Sequence, residues 1–126
     1  MPVFNGNANV LARMATAGDT VTLFAAADTL AATNNSVVIS PQDSSANKRS
    51  LITFQSTFAS SPTAVVEILG SNTYPTSSGP QNGVILYTST NVQADNYTDN
   101  LAFAFYWAQL VSQSGGGALT LTAHVR

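Results

Sequence analysis

From Leu119 to Arg126 the chain alternates without a break: Leu119, Leu121, Ala123 and Val125 are separated by Thr120, Thr122, His124 and Arg126. A period of two puts each set on its own side of an extended backbone, so the stretch predicts a strand with one wet face. The same period places Ile52, Phe54 and Phe58 opposite Thr53, Gln55 and Thr57, and Ala64, Val66 and Ile68 opposite Glu67. These two runs, split by the breaker ASSP, predict a strand–turn–strand pair. VILYTST (84–90) predicts another strand. Shorter candidates are Val10–Ala15 and Thr20–Phe24, parted by Gly18-Asp19, and Ser36–Ser40, stopped by Pro41. The Ala-rich stretch Phe24–Thr33 suits one or two helical turns, a loop or a β-edge segment, because so short a helix is marginal by itself. Residues 41–50, Asn72–Gly83 and Asn91–Asn100 are rich in Pro, Gly, Ser, Asn or Asp and predict loops.

The run from Leu101 to Val111 is different. Leu101, Phe103, Phe105 and Trp107 fall on one face, and Ala102, Ala104, Tyr106, Ala108 and Leu110 on the other. Both faces are largely apolar, which predicts a strand covered on two sides. SQSGGG then supplies residues tolerant of positive φ, and with the closing strand it predicts a C-terminal hairpin. The pattern as a whole predicts an all-β fold: a single antiparallel β-sandwich of about 7–9 short strands. Residues 10–126 form the sandwich, and residues 1–9 form an N-terminal arm or an edge strand.

Composition changes the picture in one respect. Hydrophobic residues make up 44% of the chain, but charged residues only 8%, against about 25% in an average domain. A surface built from Ser, Thr, Asn, Gln and Ala has few charges to desolvate and suits burial against other protein copies. Four basic residues and a net charge of −2 give no clustered basic surface for nucleic acid. The chain has no cysteine, hence no disulfide framework or thiolate metal site. The start, MPVFNGNANV, lacks the basic and apolar regions of a signal peptide, which suggests synthesis in the cytosol or a mature form. No apolar run approaches the ~20 residues of a membrane span.

Candidate chemistry is sparse. His124 is the only histidine; zinc needs several ligands, and no Gly-x-Ser-x-Gly elbow offers a nucleophile. Asp95, Asn96, Asp99 and Asn100 could offer oxygens to Ca²⁺, but the EF-hand pattern is missing and a solvated Asx-rich turn is far more common. No phosphate-binding motif appears, since GGG sits between strands. These points predict no catalytic residue, no cofactor and no metal. Tyr74 and Tyr97, read as loop aromatics, could stack on a sugar ring or pin their loops by packing.

ITFQSTFASSPTAVVEILGSN, the aromatic strand, the Gly-rich turn and the closing ALTLTAHV together resemble small virion proteins of tailed bacteriophages. Those are β-sandwich head-decoration or tail-accessory proteins, and the likeness spans Leu51–Arg126. It implies a non-catalytic decoration or cement protein, made in the host cytoplasm and carried on the virion. Such a protein binds the assembled shell of a major capsid protein, or other virion subunits, and stabilises it. Val3 and Phe4 in the arm are then candidates for reaching a neighbour, or else belong to a first edge strand. Tyr106 and Leu110 are candidates for a homo-oligomer contact, or else belong to a central strand of one subunit. A tail or baseplate accessory protein and a carbohydrate-binding β-sandwich module are the alternatives.

Overall fold

The computed structural model describes residues 13–28, 34–42, 51–58, 63–75, 83–90, 94–114 and 118–126. The arm with Val3 and Phe4 lies outside them. The described residues form ten strands: β1 (Arg13–Ala15), β2 (Thr20–Asp28), β3 (Asn34–Asn35), β4 (Ile39–Pro41), β5 (Ile52–Phe58), β6 (Thr63–Ser71), β7 (Val84–Thr90), β8 (Ala94–Asp99), β9 (Phe105–Ser114) and β10 (Ala118–Val125). One sheet runs β1-β4-β9-β6-β7, with β3 also on β9; the other runs β2-β10-β5-β8. Every pair is antiparallel except β1–β4, which is parallel.

With β1 and β3 set aside, the eight remaining strands interleave in the double Greek-key order of a jelly roll. The chain crosses repeatedly between sheets, and only β6 and β7 are neighbours both in sequence and in a sheet. This corrects two expectations. β9 and β10 do not form a C-terminal hairpin, and β5 does not pair with β6; each connection arches from one sheet to the other. The reason lies in what each strand buries. β5 and β10 each have one apolar and one polar face and pair with each other in the β2-β10-β5-β8 sheet. β9, apolar on both faces, is central to the opposite sheet.

The inward sets are those the period predicts. Ile52, Phe54, Val66, Ile68, Leu119, Leu121, Ala123 and Val125 are buried and share one core with Ile39, Tyr106, Ala108 and Leu110. Burying one such large apolar side chain is worth about 1.5–3 kcal/mol. The bulky outer face of β9 is covered too. Trp107, with 0% exposure, packs with Val38 and Leu69 beneath Tyr74 and Phe105. Gly83 completes this cover: a Cβ there would stand 2.5 Å from Trp107 Cζ2. Strand β9 is thus dry on both sides at its centre.

One further expectation changes. Strand β9 begins at Phe105, not Leu101, because residues 100–104 carry the chain between sheets; Leu101 takes φ 62° there. Of the alternatives for the Ala-rich stretch, the β-edge segment holds for Phe24–Asp28, which continues edge strand β2.

Candidate functional site

The segment read as an Asx-rich loop is strand β8, an edge of its sheet. Its inward positions are Asp95, Tyr97 and Asp99, alternating with exposed Ala94, Asn96 and Thr98. Carboxylates at inward positions would be costly unpaired, and tyrosine hydroxyls from three strands meet them. Tyr87 Oη donates to Asp95 Oδ2 at 2.6 Å, and the Asn96 N–H donates to Asp95 Oδ1 at 2.8 Å. Tyr97 Oη donates to Asp99 Oδ1 at 3.0 Å. Asp99 Oδ2 accepts from Tyr106 Oη and from the Ala102 N–H. Tyr106 Oη in turn accepts the Phe103 N–H at 3.1 Å. The rings pack as tightly as the hydroxyls: Tyr97 lies between Tyr87, with centroids 5.1 Å apart, and Phe54, at 6.4 Å.

This arrangement fixes the protonation states. Burial opposes the charge of Asp95, but the Tyr87 hydroxyl and the Asn96 N–H outweigh it and hold the carboxyl below its usual range. Burial, and then the bond to Asp99, push Tyr106 far above its ordinary value. Burial and Asp99 raise Tyr97 in the same way, and the bond to Asp95 leads the rise of Tyr87.

A small pocket opens between edge strands β7 and β8. Its walls include Tyr87, Ser89, Asp95, Asn96 and Tyr97, and its floor reaches Phe54 and Leu121 of the core. The cavity volume is about 10 Å³, room for one water-sized group. Ser89, with 6% exposure, lines it, and its buried Oγ closes no hydrogen bond although it lies near Asp95.

The residues singled out from the sequence fall elsewhere or play other parts. Tyr106 and Leu110 have 0% exposure and lie in the core between the sheets, so neither is a contact surface. The face of β9 that the pattern offered to a partner is the one turned into the subunit. Tyr97 is in a strand rather than a loop, with both ring faces covered. Tyr74 is half-buried and meets Phe105 edge-on at 5.6 Å. The Asp95–Asn100 segment is not a turn: Asp95 to Asp99 lie in strand β8, and their carboxylates accept from hydroxyls and N–H groups. Among the described residues no three His, Cys, Asp or Glu side chains come together.

His124 sits on the outer face of the β2-β10-β5-β8 sheet, its Nδ1 2.7 Å from Thr20 Oγ1. That face forms rows across four strands: Thr20, His124, Thr53 and Thr98, then Thr22, Thr122, Gln55 and Asn96. Thr53 and Thr98 hydroxyls bond across strands at 3.1 Å. Neither row contains a Lys, Arg, Asp or Glu, so two adjacent ranks of the sheet present hydroxyl, amide and methyl groups alone. Comparison with protein-family models, with curated proteins and with solved structures yields no match.

Proposed function

We propose that this chain is a non-catalytic structural subunit that attaches to an assembled protein shell and stabilises it, as a capsid decoration or cement protein does. The proposed location is the virion, after synthesis in the host cytoplasm, and the proposed partner is the major capsid protein or another virion subunit. The outer face of the β2-β10-β5-β8 sheet carries this reading. Two adjacent threonine-rich ranks without Lys, Arg, Asp or Glu, whose hydroxyls partly satisfy one another, shed their water cheaply against a second protein surface. A ligand that binds only the assembled state stabilises it by mass action. The jelly roll is used by viral capsid and lectin domains alike, so the fold by itself does not choose between them. Stacking on a sugar requires an open aromatic face, and the covered ring of Tyr97 supplies none.

Immunogold electron microscopy of particles purified from the source, with an antibody to this chain, tests the reading. Label spread over the heads is the expected result. Label confined to one vertex would move the protein to the tail, and particles without label would end the virion reading.

A further inference from the structure

The pocket between β7 and β8 holds two acceptors that the fold leaves incompletely used. Ser89 Oγ is buried without a hydrogen bond, an arrangement that is costly when nothing fills it. The Asp95 carboxylate accepts from Tyr87 and Asn96, which leaves part of the roughly four lone-pair sites of an ionised carboxylate open. None of the described residues brings a cation to Asp95: its hydrogen-bond partners are the Tyr87 hydroxyl and the Asn96 N–H. Tyr87 and Tyr97 add ring edges to the pocket wall.

Size then selects the cation. A cavity of about 10 Å³ admits one water-sized group. A primary ammonium has that size, with three donors on a compact head, whereas a guanidinium is a broad planar fork. A sugar ring is larger still. From this juxtaposition of Ser89, Asp95, Tyr87 and Tyr97 we infer that the β7–β8 pocket receives the ε-ammonium of a lysine presented by a partner protein. The ammonium donates to Asp95 and Ser89 while its aliphatic stem lies against the apolar part of the pocket wall. The pocket chemistry stands on its own; the assignment of the lysine to a shell subunit rests on the function proposed above.

The test titrates the ¹⁵N-labelled full chain with Nα-acetyl-lysine methylamide at constant ionic strength. The arginine and norleucine analogues serve as controls, and the amides of Ser89, Asp95 and Asn96 are followed. The expected result is a saturable shift with lysine, at least about tenfold weaker with either control. Asp95→Asn, which keeps an acceptor for Tyr87, weakens the lysine affinity by about tenfold or more, and Ser89→Ala by severalfold. Equal responses to all three compounds, no saturation, or an unchanged affinity in folded Asp95→Asn would mean that the pocket holds an ordered water only, and would overturn the inference. Co-sedimentation with particles separates the two claims. Wild type and Asp95→Asn binding particles equally would overturn the lysine contact alone, whereas wild type failing to bind would overturn the shell reading.

Discussion

At the scale of single residues, the least replaceable group is the Tyr106 hydroxyl. It stands between the Asp99 carboxylate and the Phe103 N–H on a ring with no exposure. Tyr106→Phe keeps the ring and strips Asp99 of one donor. Since hydrogen bonds to charged groups contribute about 1.5–3 kcal/mol, we expect a loss near 2 kcal/mol in urea unfolding, and a loss below about 0.5 would contradict this role. Two glycines are required for different reasons. Gly18 has φ 99° with nothing within 4 Å of a Cβ, so only backbone strain opposes a side chain there. Gly83 is the reverse: an added Cβ would meet Trp107 Cζ2 at 2.5 Å and Leu69 Cδ2 at 3.2 Å. Trp107 is fully buried and has little room to give way. Gly83→Ala should therefore cost about 1–3 kcal/mol and change the tryptophan fluorescence; an unchanged emission spectrum would show that the ring is not where the packing puts it.

At the scale of elements, the strand faces were legible and the strand partners were not. Leu119 to Val125 and Ile52 to Ser56 bury the alternation written in them, because a period of two is a local property of the backbone. Which strand lies beside which depends on contacts distant in sequence, so the glycines after β9 suggested a hairpin where an arch exists. Strand β8 was missed because Asp and Asn are depleted in strands. Its period was nonetheless present, as Asp95, Tyr97 and Asp99, with tyrosine hydroxyls rather than apolar contacts rewarding it. The pocket had no signal at all, since Ser89 and Asp95 face each other only after the chain has changed sheets. Edge strand β7 carries a different lesson. A register shift in its pairing with β6 lets both Leu86 and Tyr87 lean on the core. Val84 and Ile85 nevertheless stay half exposed, and β7 contains no charge. Inward carboxylates guard the β8 edge, but among the described residues nothing comparable guards β7. Ile85→Lys should leave the unfolding midpoint within about 0.5 kcal/mol of wild type and slow aggregation seen by light scattering. Faster aggregation of the variant would refute the assignment of β7 as the vulnerable edge.

At the scale of the molecule, all four tyrosines titrate above the ordinary 10.0. The folded chain therefore keeps phenolic protons that the unfolded chain releases. Stability from this source is complete below pH 10.0 and is lost as pH rises through the higher folded values. Near-UV difference absorbance should show tyrosine ionisation arriving together with the loss of β-sheet circular dichroism. Ionisation near the ordinary value in a chain that remains folded would count against the buried hydroxyl network.

Only one pair of strands adjacent in sequence is also paired in a sheet, which makes the topology slow to assemble. The placement of β10 between β2 and β5 sharpens this into an order of events. While the ribosome is still making residues 118–125, β2 has no neighbour in its sheet, and Leu119, Leu121, Ala123 and Val125 are missing from the core. A nascent chain that stalls before that point holds an open core in place of a closed one. Docking of β10 between β2 and β5 is therefore expected to be the step that closes the core.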